Sequence, residues 1–538
     1  MYRRLSLPLV LLVLFSLPVR GETATPLSPA VAQWWADIAA LADDANEGRL
    51  TGSAGYQRAA DYVLRRFQEE GLTPAGANGF LQPVRFEQQT VDQAASTIGL
   101  IAPDGSKDAL HSGDDIIISA AGGPRPATIN APLVFIGYGL HLPAQGEDDF
   151  AGQDLKGKIV VVLSGGPADI AGPIKSYARF SRLEQLSKLG VKGVITLTTQ
   201  NQIEIPWARQ KLIAHQPGMY LADAKLRDIT KGFFVASVDP QQAEHLFAGS
   251  GHSFAELAAL ADASKPLPRF ALPSRLEASV AAERREIAST NLIAKLEGSD
   301  PKLAAEYVAV SAHLDHLGIG DPIKGDSIYN GAMDDASGVA TVLDIAHILK
   351  SGPRPRRSVL FVIFTAEEKG LLGSRYFALR PTVPKTALVA DFNFDMALPL
   401  WTLKTVYAPG QDESSLGADA KSVAGQQGLT MIADPMPDRN VFTRTDQFSF
   451  VREGIPALAF KFGFAKGTPE FQIEHDWRAN RYHAPSDDLS QPVEKEEAVK
   501  LDAFVAALTR RIADAPTRPQ WLATSIFAPH EAKGASHP

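Results

Sequence analysis

The sequence predicts an α/β protein in which a mostly parallel central sheet carries helices on both faces and a β-rich module is inserted into it. Three observations lead there. From Asn291 onward buried apolar runs alternate with a helical pattern: Tyr307 to Ser311, Ser358 to Phe364, Leu388 to Phe394 and Ile455 to Phe460 read as strands, Ala340 to Leu349 as a helix, and such alternation builds parallel sheets covered on both sides. Between about Ala131 and Ala271 the runs become short, β-rich and cut by Gly and Pro. The chain has 538 residues, enough for two to four units at roughly 100–200 residues each.

Composition narrows the class. Hydrophobic residues make up 45% and charged residues 21%, ordinary for a globular protein. Lys plus Arg number 53 against 61 Asp plus Glu, a net charge of −8, so the basic footprint of a nucleic-acid binder is missing. There is no Cys, which excludes disulfides, a thiolate nucleophile and Cys-ligated metal. Any metal must be held by His, Asp and Glu.

Taken in order, residues 1–21 read as a signal peptide. Arg3-Arg4 precede the apolar run Leu5 to Leu17, and Gly21 and Ala24 are small residues at which cleavage could occur. The run is shorter than the ~20 residues of a membrane span, so the expected product is periplasmic or secreted, with no stable membrane association after cleavage. Residues 22–120 open the main domain, with helical spacing in Trp34 to Leu41 and Ala59 to Phe67 and a C-cap glycine at Gly71. The module is expected over 121–271. It holds strands at Leu133 to Ile136, Lys158 to Leu163 and Gly193 to Leu197, and a helical stretch at Leu183 to Leu189. Residues 272–520 carry the rest of the main domain, and 521–538 a tail.

Ligands of open α/β sheets gather beyond the carboxyl ends of the strands. There the chain places His313-Leu314-Asp315, Thr365-Ala366-Glu367-Glu368 and Asp395. Asn330 to Gly338 forms an acidic loop opening a helix, and Tyr482-His483-Ala484-Pro485-Ser486-Asp487 stands far downstream. Two His with several carboxylates and no Cys is the donor set of a hydrolytic zinc site that keeps a position open for water.

These segments resemble the co-catalytic zinc exopeptidases, the family of secreted bacterial leucine aminopeptidases, aminopeptidase Y and glutamate carboxypeptidase. The matching motifs are His313-x-Asp315, Gly331-Ala332-x-Asp334-Asp335-x-Ser337-Gly338, Phe364-x-Ala366-Glu367-Glu368-x-Gly370-Leu371-x-Gly373-Ser374, Asn393-x-Asp395-Met396 and Tyr482-His483-x-Pro485-x-Asp487, with Glu47-Gly48-Arg49-x-Thr51-Gly52-Ser53 as the entry segment. Leu155 to Val160 with Gly190-x-x-Gly193-Val194 is similar to the protease-associated domain that many members carry as an insertion.

The resemblance implies an exported aminopeptidase acting on peptides with two Zn2+ per chain. Asp334 would bridge the ions, His313 and Asp395 would complete one, and Glu368 and His483 the other. Glu367 would be the acid–base residue, and the Asp315 carboxylate would accept the proton of His313's other ring nitrogen. The Asp334–Asp335 peptide bond is implied to be cis. A carboxypeptidase for acidic C-terminal residues, served by Arg444 and Arg481, is the alternative, followed by a receptor-like binding protein on the same fold. His316, Asp335 and Asp326 are read as structural neighbours, and Arg354, Arg356 and Arg357 as a solvated turn. His141, Glu147, Asp148 and Asp149 are read as a solvated acidic loop, and the module as a lid that does no chemistry.

Overall fold

The computed structural model describes residues 27–203, 205–439 and 441–528; the expected signal segment and most of the expected tail lie outside these residues. Four parallel strands, Tyr307–His313, Ser358–Phe364, Leu388–Phe394 and Ala457–Ala459, form the heart of the main domain, with Tyr307–His313 between the second and third. The final strand of the segment Phe270–Leu296 lies antiparallel beside Ser358–Phe364. Every residue of Ser358–Phe364 and Leu388–Phe394 is buried because helices cover both faces, and each large apolar side chain so enclosed contributes roughly 1.5–3 kcal/mol.

One face carries helices Pro29–Leu41, Ala54–Glu69, Ser337–Ser351, Leu416–Gln426 and Lys495–Asp514. The other packs Leu371, Phe377, Phe448, Phe450 and Val451 against Leu360, Val362 and Phe364. Local signals set the helix ends. Ser28 and Ser53 cap the first two by accepting from Val31 N and Tyr56 N, and Gly71, at φ +63°, follows the second.

Two long strands, Leu81–Ile101 and Phe270–Leu296, pair antiparallel from Leu81 opposite Leu292 to Ile101 opposite Arg275. This ribbon leaves the central sheet and enters the inserted module, whose strands Thr128–Phe135, Ile159–Leu163, Gly193–Leu197 and Phe234–Val238 run parallel. The module's core draws in Val91, Ile98, Ile116 and Ile118 upstream and Leu272, Leu276 and Val280 downstream, so it reaches past 121–271 on both sides. Nor is the module simply β-rich: helices Gly172–Lys188, Trp207–Ile213 and Phe254–Asp262 belong to it. The first was legible only near its end because its buried face includes Lys175, Ser176, Ser181 and Arg182, which breaks apolar periodicity.

Of the three arginines expected on a solvated turn, Arg354 is exposed, but the other two are tied down. Arg356 pairs with Asp300 at 2.6 Å, and Arg357, its side chain only 1% exposed, pairs with Glu306 at 2.7 Å and donates to the carbonyls of Ile512 and Ala515.

Beneath the sheet Asp502 is fully buried, accepting from Thr341 Oγ1 at 2.8 Å, while Thr341 takes Trp34 Nε1 at 3.2 Å. Its carboxyl lies against that of Asp344. Burial pushes Asp344 up to about 6, and burial plus the charge of Asp344 raises Asp502 well above the carboxylate range. The folded state therefore favours the protonated pair. Its contribution is whole below the ordinary value of 3.8 and is lost as pH climbs through about 6. Asp502→Asn keeps the bond to Thr341 without the ionisable proton. It is expected to melt at a higher temperature than the wild type at pH 8, with the gap closing toward pH 4; a gap independent of pH would refute this account.

Candidate metal centre

The carboxyl ends of three adjacent strands bring the donors together. His313 ends one strand, Glu367 and Glu368 follow Ser358–Phe364 through Ala366 at φ +58°, and Asp395 follows Leu388–Phe394. Asp334 lies in the loop that opens helix Ser337–Ser351, and the Asp334–Asp335 bond is cis, as the resemblance implied. That loop requires glycine at 331. Its φ is +62°, and a Cβ there would stand 2.1 Å from the Asp334 carbonyl and 2.6 Å from the His316 ring.

Asp334 sits at the middle. Its Oδ1 is 3.3 Å from His313 Nε2, and its Oδ2 is 3.3 Å from His483 Nε2. Asp395 Oδ2 lies 4.0 Å from His313 Nε2, and Glu368 Oε2 lies 3.3 Å from His483 Nε2. Tetrahedral zinc with bonds of about 2.0–2.2 Å sets its ligand atoms roughly 3.3–3.5 Å apart. Three of these four distances have that spacing, Asp395 standing somewhat farther off, and the donors divide into two sets that share Asp334. His313 Nε2 is buried without a hydrogen-bond partner, the condition of an atom reserved for a cation.

The charge balance agrees. Burial raises Asp315, Asp335, Glu367, Asp446 and Asp487 above the usual carboxylate range. For His483 burial alone would lower the pKa, but Glu368 and Asp334 win and push it up to about 9. A buried pocket so rich in acid suits divalent cations, and its donors fall into two groups that share Asp334.

Glu367 stands at the edge of both sets, its Oε2 3.9 Å from His313 Nε2. Burial raises its pKa well above the usual value, reinforced by Asp395, Asp446 and Glu368 and opposed by His313. His316, read from sequence as a neighbour, donates through Nδ1 to Glu368 Oε1 at 2.6 Å. That is a direct hydrogen bond, closer than two ligands of one zinc approach, so His316 orients Glu368. Asp335 accepts from Gly338 N, Met396 N and His313 N, pinning three site segments, while Asp326 is exposed at the turn of a hairpin.

One expectation is corrected. The His313 Nδ1 proton goes to the main-chain carbonyl of Asp315 at 3.0 Å, whereas the nearer Asp315 carboxylate oxygen is 4.0 Å away. The carboxylate is occupied elsewhere: it accepts from Thr51 Oγ1 at 3.0 Å, Glu367 N at 3.0 Å and Glu368 N at 3.3 Å. Asp315 thus fixes the two glutamates directly and the imidazole only through its main chain.

Several site residues were not singled out from sequence. Asp487, within the quoted Tyr482 motif, accepts from Met333 N and Asp334 N at 3.0 Å each. Arg49, fully buried, donates to the carbonyls of Leu314 at 2.7 Å, Asn330 at 2.5 Å and Gly331 at 2.9 Å, stapling the loops of His313 and Asp334. Lys461 donates to the Asp395 carbonyl and stands 3.5 Å from Asp395 Oδ1. Nothing in local pattern marks Lys461.

A cavity of about 1000 Å³ lies between the module and this cluster, reaching Glu368 and His483 on one side and Ser119, Gln202 and Gln216 on the other. Arg444 lines it and also a smaller recess bounded by Asp334, Glu367 and Asp395. Arg481 turns away to the Ser486 carbonyl. His141 pairs with Asp148 at 2.9 Å, and among the described residues the grouped metal donors are those of the central cluster, not of this loop.

The fold and the shared Asp334 give an α/β domain whose buried donors group into sets that could hold metal ions. Residues 291–509 match the model of peptidase family M28. The chain is similar to carboxypeptidase Q of Rattus norvegicus, 34% identical over 179 residues, 32% of this chain and 33% of the relative. Aminopeptidase YwaD of Bacillus subtilis (strain 168) is 28% identical over 207 residues, 38% and 40% of the two chains. Aminopeptidase Y of Saccharomyces cerevisiae (strain ATCC 204508 / S288c) is 27% identical over 228 residues, 41% and 37%. The matched segments thus span well under half of each of these relatives. The fold resembles that of the aminopeptidase from Aneurinibacillus sp. strain AM-1, with a TM-score of 0.53 and 21% identity over 89% of this chain and 93% of that one.

Proposed function

We propose that the chain is an exported aminopeptidase that removes the N-terminal residue of peptides, with His313, Asp334 and Asp395 holding one zinc ion and Asp334, Glu368 and His483 the other. The observation that carries this reading is Asp334, whose two carboxylate oxygens each stand 3.3 Å from a different histidine. Bound zinc supplies Lewis acidity and lowers the pKa of water toward neutrality. Glu367, the carboxylate outside both ligand sets, takes a proton from the attacking water at Oε2 and returns it to the departing amine. Asp315 holds Glu367 in place through its main-chain N–H. The module walls the cavity beside the cluster, limiting water and admitting only chain ends. Export rests on residues 1–21; among the described residues no helix is long and apolar enough to cross a membrane.

Arg444 favours a second reading. A guanidinium beside the metal residues could take the carboxylate of an acidic C-terminal residue, as the carboxypeptidase alternative requires.

The test is an assay of three substrate types on one preparation: an aminoacyl chromophore, the same compound with its amine acetylated, and a peptide ending in Glu. The first alone is expected to be cleaved, and a chelator should abolish cleavage. Hydrolysis of the Glu-terminated peptide from its C-terminal end would favour the carboxypeptidase. Metal analysis should give two zinc ions per active chain; full activity with one tightly bound ion would overturn the two-metal assignment.

A further inference from the structure

The inserted module does more than wall the cavity. Its helix Trp207–Ile213 carries Arg209, half-buried, whose guanidinium points away from the module into the main domain. There Nη1 donates to the Ala479 carbonyl at 2.6 Å, and Nη2 donates to the carbonyls of Arg478, at 3.3 Å, and of Tyr482. Arg478 and Ala479 lie in the last turn of helix Pro469–Asn480, and Tyr482 is the residue immediately before His483.

The physics of a helix end gives these contacts their meaning. The last carbonyls of a helix have no partners within it and carry the negative end of the dipole. A cation with several N–H groups in a fixed plane satisfies several of them at once and locks their relative positions. The turn that follows needs such locking. His483 has φ +53°, a conformation that residues other than glycine visit rarely, and its ring must keep Nε2 3.3 Å from both Asp334 and Glu368. One further contact of the module, and an ion pair within the main domain beside it, brace the same region. Lys175, its side chain 3% exposed, pairs with Asp438 at 2.6 Å, and Arg439 pairs with Glu474 of the same helix at 2.6 Å.

We infer that Arg209 is a positioning residue for His483: the module supplies, across the cleft, the cap that holds one metal-binding histidine in place, so the metal centre is complete only when the module is docked. This rests on the reading of His483 as a zinc ligand. It assigns the module a role in assembling the site beyond that of a lid. Because Arg209 acts on one histidine, its loss should weaken one ion and spare the other, which His313 and Asp395 hold from a different part of the sheet.

The experiment is a zinc titration of the metal-free, full-length chain against a competing chromophoric chelator. It compares wild type, Arg209→Ala, Arg209→Lys, Lys211→Ala and His483→Ala, with thermal melting of each metal-free protein. Lys211→Ala is the control, since it removes a neighbouring ion pair to Asp114 on the same helix without touching residues 478–483. Expected for Arg209→Ala is one ion at wild-type affinity and the other weakened about 10–100-fold, as for lost groups that orient ligands, with Lys in between and Lys211→Ala unchanged. If Arg209→Ala does not fold, Arg209→Lys decides instead: a weakened second ion supports the clamp, and two ions at wild-type affinity overturn it. Two ions at wild-type affinity in Arg209→Ala, or equal weakening in Lys211→Ala, would overturn the clamp. If His483→Ala keeps both ions, the ligand reading falls and the clamp with it. If His483→Ala loses one ion while Arg209→Ala keeps both, the clamp alone falls.

Discussion

Glu367→Gln is expected to lower turnover by about 10²–10⁴-fold, the range of lost acid–base catalysis, while two zinc ions stay bound and the melting temperature barely moves. The geometry separates this residue from its neighbour. Glu368 Oε2 lies 3.3 Å from His483 Nε2, and its other oxygen takes the His316 proton, so both oxygens are engaged. Glu367 Oε2 comes no nearer than 3.9 Å to His313 Nε2, and its main chain is held by Asp315. An amide at 367 keeps the shape and loses the site where a proton can rest. Glu368→Gln should instead weaken zinc affinity, with turnover recovering as zinc is added. Steady-state kinetics with metal analysis of both variants checks the assignment; the reverse pattern would mean that base and ligand are exchanged.

Asp334→Ala should cost both ions and all measurable activity, a larger loss than removal of any single terminal donor. Among the described residues no other side chain stands 3.3 Å from both His313 and His483, so its removal leaves each ion with two of its protein donors. The fold should survive in the metal-free state. The Asp334 and Met333 main-chain N–H groups are held by Asp487, and Arg49 staples the adjoining carbonyls. Zinc content after dialysis against excess zinc is the decisive measurement. Retention of one tightly held ion would show that the two sets do not depend on a shared bridge.

How much of this was legible varied with range. The strands Ser358–Phe364 and Leu388–Phe394 were read to the residue because a strand buried on both faces is a continuous apolar run. His313, Glu367, Glu368 and Asp395 were legible as candidates because each stands at or shortly beyond the end of its strand, where an open α/β sheet presents its ligands. The long ribbon was not. The middle of Phe270–Leu296 runs Glu283-Arg284-Arg285-Glu286 through solvent, and a strand without an apolar face leaves no alternation to read.

The α/β class and the candidate donors are thus legible in the chain alone, since burial periodicity and strand-end residues are local properties. Which partner each carboxylate meets follows from the tertiary structure alone: the Asp315 carboxylate accepts from the glutamates' main chain and not from the imidazole, His316 bonds Glu368, and Arg357 is buried. The tertiary structure also brings Arg49 and Arg209 to the site from 265 and 273 residues away along the chain, to Leu314 and Tyr482. Guanidinium groups that satisfy main-chain carbonyls do so by spatial fit, and the identity of the residue whose carbonyl they meet leaves no trace in either local sequence.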